Sequence, residues 1–196
     1  MMRRSQAYQP LTLAVAVLCL IAYVVAQLFG LELLFSWLHF PDVEQPEHYW
    51  QLWRFISPIF IHFSLMHIGF NLVWWWILGN IIEQYAGLPK LLSLLLLSGL
   101  LSNMAQYPIS GAHFGGLSGV VYGLFGYLWV VSRFDKASGV HIPNAIVIQI
   151  VAWLMLGFTG WLDDLVGPMA NMAHLIGLVV GLLLALSHLN RRQRLI

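Results

Sequence analysis

The sequence predicts an all-α membrane protein, a bundle of six transmembrane helices with a re-entrant loop before the fourth. Three observations predict it. Of 196 residues, 60% are apolar and only 9% charged, whereas a soluble domain carries about a quarter charged residues. A small chain has proportionally more surface to solvate, so a larger core does not explain the deficit, and lipid is the solvent for most of the chain. Six largely apolar stretches of helix length recur between clusters of Gly, Pro and charge, too long for membrane strands. If all six cross, eight of the nine basic residues fall on one side, the pattern that orients helical membrane proteins.

The first span covers residues 11–29, interrupted only by Thr12 and Gln27. At about 1.5 Å per residue it nearly crosses a ~30 Å hydrocarbon core, and no small-residue cleavage site follows to make it a signal peptide. Residues 1–10 read as a short cytoplasmic N-terminus, too few for a domain. Cys19 is the only cysteine, so no internal disulfide forms and the thiol reads as packing or lipid contact. Residues 30–61 form a long external loop whose Trp37, Phe40, Tyr49, Trp50 and Trp53 suit the membrane interface.

The second span covers 65–82 and is broken from the third, 91–106, by Gly87, Pro89 and Lys90. Pro108, Gly111, Gly115 and Gly116 precede the fourth, 117–132, and Ser138, Gly139 and Pro143 precede the fifth, 145–160. Residues 160–168 lead into the sixth, 172–188. The six-helix membrane domain runs over 11–189, and 190–196 form a basic cytoplasmic tail. Cytoplasmic segments then hold Arg3, Arg4, Lys90, Arg133, Lys136, Arg191, Arg192 and Arg194, with Arg54 outside. Glu32, Asp42, Glu44, Glu47, Asp163 and Asp164 lie outside, the last two in a solvated loop. Both termini are thus expected in the cytoplasm. A net charge of +1 gives no reason to expect a nucleic-acid partner.

Four polar groups fall at one depth. Counting outward from the charged cytoplasmic ends, Ser118 lies about 22 Å from Arg133, His174 about 25 Å from Arg191, and His67 and Asn71 about 24 and 18 Å from Glu83. All four sit several ångströms below the outer surface of a ~30 Å core, on three helices, as one polar layer around a cavity open to the outside. To deliver Ser118 at a helix N-terminus, the glycine-rich run 111–116 must dip into the membrane. Irregular backbone is tolerated there only inside protein or against water. The free N–H groups of that terminus favour developing negative charge.

A serine hydroxyl needs a base to become a nucleophile, and histidine is the commonest. Gly116, Leu117, Ser118 and Gly119 fill the pattern G-x-S-G, and here the sequence resembles the bacterial branch of the rhomboid family of intramembrane serine proteases. His62, His67 and Asn71 around the second span match further family positions. So do Gly79, Glu83 and Gly87 as G-x-x-x-E-x-x-x-G, Ala-His-Leu-Ile-Gly with Gly181 on the sixth span, and Trp53-Arg54 in the external loop. The match covers essentially the whole chain in order. Some members of that branch carry an N-terminal cytoplasmic domain, which this sequence does not show.

The resemblance implies a serine endopeptidase with Ser118 as nucleophile and His174 as general base and acid, a dyad rather than a triad. The backbone N–H groups of Ser118 and Leu117, with His67 and Asn71, would hold the oxyanion. Tyr122 would pack on the imidazole, Gly116 and Gly119 would shape the loop and a close helix contact, and His62 would either anchor the loop or support catalysis. The implied partners are transmembrane protein substrates and the lipid bilayer; the implied compartment is the bacterial inner membrane, the site opening to the periplasm.

Other readings are weaker. Serines in membrane helices commonly bond back to the preceding turn, the reading given to Ser93, Ser98 and Ser102. Arg54 and Glu83 read as structural. Trp74, Trp75 and Trp76 are consecutive, so they point around the helix toward lipid or neighbours rather than lining one pocket. No H-E-x-x-H motif marks a metal protease, no carboxylate accompanies His62, His67 and His174 as a metal set, and no cofactor is implied. No aspartate lies within a helix core for aspartyl chemistry, and inverted repeats of a transporter are not apparent. A catalytically inactive relative that binds and escorts membrane proteins typically lacks the serine or the histidine; both are here.

Overall fold

A computed structural model describes residues 9–161 and 169–193, with side chains through Asn190. Arg3, Arg4, Asp163, Asp164 and Arg194 lie outside the described residues, as do the side chains of Arg191 and Arg192 and the connection over 162–168.

Among the described residues the six expected helices are present, with one short helix besides. They are α1 (Pro10–Phe29), the short α2 (Leu31–Leu38), α3 (Leu65–Ala86), α4 (Leu88–Ser110), α5 (Ser118–Phe134), α6 (Asn144–Gly157) and α7 (Asn171–Gln193). No strand occurs among the described residues. Of these, α1, α3, α4 and α7 are long and apolar enough to cross a membrane on their own. With 14 residues, α6 reaches only about 21 Å, short of a full ~30 Å core.

Boundaries shift where local backbone chemistry overrides hydropathy. Pro108 does not end α4: it sits in the last turn, where a missing N–H costs a single helical bond, and the helix stops at Gly111 with φ +62°. Glu83 does not end α3 either; the helix runs on to Ala86 and turns out at Gly87 with φ +82°. Within the external loop, α2 is followed by three short 3₁₀ turns, Pro46–Trp50, Leu52–Phe55 and Ser57–Phe60. Arg54, 3% exposed, ties this loop together through Nε to Gln51 Oε1 and Nη2 to the Ser36 carbonyl, both at 2.8 Å.

Glu83 has a definite structural task. Its carboxylate accepts from the N–H of Leu11 at 3.0 Å, the N–H of Thr12 at 2.9 Å and the Thr12 hydroxyl at 2.7 Å. It thereby satisfies donors that the first turn of α1 leaves unpaired. Trp75 Nε1 donates to the Thr12 carbonyl at 2.9 Å. Gly79 lets α1 come this close, since a Cβ there would lie 3.2 Å from Thr12 Oγ1. Glu83→Ala strands these donors, and a loss of about 3 kcal/mol is expected, readable as a lowered melting temperature in detergent with the serine site intact.

The centre of the bundle is α5, with thirteen of its seventeen residues buried. It runs against α7 along a glycine seam. A Cβ at Gly177 would collide with the Gly119 carbonyl, one at Gly181 with the Gly123 carbonyl, and one at Gly126 with the Leu178 carbonyl. Side-chain-free faces let the two backbones touch. Far from Ser118, the Tyr127 hydroxyl bonds His188 Nδ1 across the same pair. The expectation for the α4 serines holds only for Ser93, whose Oγ donates to the Pro89 carbonyl at 2.8 Å. Ser102 instead reaches across to the Ala173 carbonyl at 2.8 Å. Ser98 Oγ has no partner among the described residues and packs beside Gly123. Both face the glycine seam, and Ser102 exchanges the local bond for one across it.

Candidate active site

The loop before α5 is held by the burial of alternate residues. Ala112 and Phe114 are buried, and Gly116 N–H donates to the Pro58 carbonyl at 3.0 Å. Gly116 adopts φ +118°, and a Cβ there would lie 2.6 Å from His67 Nε2, so conformation and space both require glycine. Ser118 follows as the first residue of α5, where the backbone N–H has no helical partner.

His174 lies in the first turn of α7 and is 4% exposed. Its Nε2 is 2.7 Å from Ser118 Oγ. Tyr122, one turn along α5, stacks on the imidazole with ring centroids 4.8 Å apart and planes at 27°, and its hydroxyl reaches the Ile150 carbonyl of α6 at 3.4 Å. His174 Nδ1 is buried with no hydrogen-bond partner among the described residues.

Ser118, His174, His67 and Asn71 all line one cleft of about 360 Å³. His67 faces Gly116 through Nε2, with the Phe63 N–H 3.5 Å from its Nδ1. Asn71 is 5% exposed, and its Nδ2 donates to the His67 carbonyl at 3.0 Å. Leu117 precedes Ser118 with a fully buried side chain, and Gly119 packs against Ser102 and Ala173 behind the serine. Among the described residues no group of three or more His, Cys, Asp or Glu is placed to hold a metal ion.

Several lining residues carry no signal in the sequence reading. The Trp74–Trp76 run points around the helix as expected, with Trp75 buried against α1 and Trp76 half exposed, but Trp74 lines the cleft rather than facing lipid or a neighbouring helix. Gln106 accepts from the Ala173 N–H at 3.2 Å and so holds the start of α7 beside His174. A buried amide within an apolar span is the signal that would have marked it. Asn103 is its neighbour in kind and anchors the external loop at the Phe55 carbonyl, 2.9 Å away. Phe70 of α3 and Trp153 of α6 meet across the cleft with ring centroids 6.0 Å apart.

A rhomboid domain family model matches residues 49–191. The chain belongs to the rhomboid family. It is 45% identical over 176 residues to the Rhomboid protease GlpG of Serratia proteamaculans, covering 90% of this chain and 62% of that protein. To the Rhomboid protease GlpG of Yersinia enterocolitica and that of Yersinia pestis it is 44% identical over 183 residues, covering 93% of this chain and 63% of each. It is thus a rhomboid of the GlpG type and a multi-pass membrane protein, and it spans a little under two thirds of the length of these relatives.

His62, in the loop ahead of α3, is 1% exposed and lies 5.0 Å from His67 ring to ring. Its Nδ1–H donates to the Phe60 carbonyl at 3.2 Å, and Nε2 has no partner among the described residues. Burial, reinforced by His67 and opposed by the Phe60 bond, pushes its pKa down to about 3. Burial also lowers His39 in the external loop. The unfolded chain protonates such groups near pH 6.5. Below that pH it takes up protons the folded state refuses, so stability present above about 6.5 is lost as pH falls toward 3. The melting temperature is expected to drop steadily below about pH 6.5, and His62→Phe to flatten part of that slope.

Proposed function

We propose that this rhomboid is an intramembrane serine endopeptidase that hydrolyses a peptide bond in or near a transmembrane segment of other membrane proteins. The observation that carries the reading is the 2.7 Å approach of Ser118 Oγ to His174 Nε2 at the wall of an open cleft. Ser118 Oγ attacks the scissile carbonyl as His174 Nε2 takes its proton. The imidazolium returns that proton to the leaving amine, and water then releases the acyl group by the same exchange in reverse. Tyr122 holds the imidazole by its face, and no carboxylate is required to orient it.

The oxyanion forms beside the N-terminus of α5. Backbone N–H groups of Ser118 and Leu117 are the nearest donors by position, joined by the Asn71 amide and by Nε2–H of His67. The Phe63 N–H approaching His67 Nδ1 favours the tautomer that leaves Nε2 protonated and facing Gly116. Donors fixed in place before charge develops are the efficient form of such stabilisation. The chemistry uses no metal or cofactor.

The membrane domain over 11–189 sits in a bacterial inner membrane with both termini in the cytoplasm. Lys90, Arg133 and Lys136 support this orientation, because they lie at the ends of α4 and α5 remote from Ser118, which leaves the cleft opening to the periplasm.

Protein reconstituted in vesicles with a transmembrane substrate tests the function. The wild type is expected to cleave it with chelator present, and Ser118→Ala to bind without cleaving. Binding without cleavage by the wild type would favour an escort role instead, and chelator-sensitive cleavage that persists in Ser118→Ala would favour metal chemistry.

A further inference from the structure

Among the described residues, no aspartate, glutamate, lysine or arginine lines the cleft around Ser118. The imidazoles on its wall among these residues are three. His174 is engaged with Ser118, and His67 is wedged against Gly116. The third, His113, is exposed on the external side of the cleft.

Its presentation is rigid. Ala112 and Phe114 on either side are 3% and 5% exposed, so the loop is pinned while His113 points outward. One face of its ring is stacked on Phe35 of α2, with centroids 5.3 Å apart and planes at 13°. Phe35 in turn stacks on His39 at 5.5 Å, whose Nδ1–H is anchored to the Phe40 carbonyl at 2.7 Å. Stacking occupies a ring face and leaves the edge nitrogens free, and no hydrogen bond to them is made among the described residues.

From these observations, and resting on the protease reading above, we propose that His113 is a specificity-determining residue that selects substrates carrying an aspartate or glutamate on the external side of the scissile bond. His113 is five residues from Ser118, so the two are separated by at most about 17 Å of extended chain, and the acidic residue falls within about five positions of the cut. A carboxylate against the ring edge accepts a charge-assisted hydrogen bond from its N–H.

The test is a set of transmembrane substrates with Asp or Asn placed in turn at each of the five positions external to the cut. They are assayed with the wild type, His113→Gln and His113→Lys, and the readout is the Asp/Asn ratio of kcat/KM. At one position the wild type is expected to favour Asp by about two- to fivefold. His113→Lys, a fixed cation, keeps or raises that ratio, and His113→Gln brings it to one. Ser118-dependent cleavage with the same ratio in all three proteins overturns this inference alone. Absence of Ser118-dependent cleavage overturns the protease reading and this inference with it.

Discussion

Replacing Ser118 with alanine is expected to lower substrate cleavage by about 10⁴-fold or more, with the melting temperature in detergent unchanged within a degree or two. The size of the effect follows from what the hydroxyl does. In the proposed mechanism it is the nucleophile, 2.7 Å from His174 Nε2, and without it no acyl intermediate would form. What survives is the stabilisation given by pre-placed donors, which acts on water attack alone. The stability expectation follows from the position. Ser118 is the first residue of α5, its side chain faces the cleft, and removing the oxygen leaves no cavity in the core. His174 loses one partner but lies beside an open cleft where water replaces it. A loss of both activity and melting temperature would show that the serine is structural.

The second large effect is expected at Gly177. Gly177→Leu drives a side chain into the Gly119 carbonyl, and backbone cannot rotate aside as a side chain can. The α5–α7 seam must open, at a cost of about 3 kcal/mol or more. Because Ser118 and His174 stand at the head of that seam, opening it also lengthens the 2.7 Å contact, so activity is expected to fall about 10²-fold or more even where the variant folds. Gly139→Ala is the control. It lies outside the seam, with nothing within 4 Å of an added Cβ, and its φ of +71° predicts a loss of only about 1 kcal/mol with turnover unchanged. Equal loss of turnover in both variants would separate the seam from the chemistry.

The six spans were legible because hydropathy acts over whole helices, and a twenty-residue apolar run has few alternatives in lipid. Their ends were less so. At Pro108 and at the early stop of α6 at Gly157, hydrogen bonding within one turn decides the boundary, and hydropathy does not register it. The external loop yielded its aromatic character but not α2 or the three short turns, because a segment held by Arg54, Ser57 and Asn103 against scattered carbonyls shows no period. At the site, Ser118 and His174 stood out because polar groups deep in apolar spans are costly and rare, and the glycine run gave the serine a reason to be at a helix start. Trp74 and His113 did not stand out. An aromatic ring is at home against lipid or packed helices, and a loop histidine at a water-facing surface; only the shape of the cleft distinguishes them.

The central claim is that His174 activates Ser118, and covalent labelling tests it most directly. Detergent-solubilised protein is treated with a fluorophosphonate, and the adduct is located by peptide mass spectrometry in the wild type and in His174→Asn. The account predicts a single adduct on Ser118 whose formation slows by about 10²-fold or more in His174→Asn. An adduct on another serine, or a Ser118 adduct formed at the same rate without the imidazole, would contradict it.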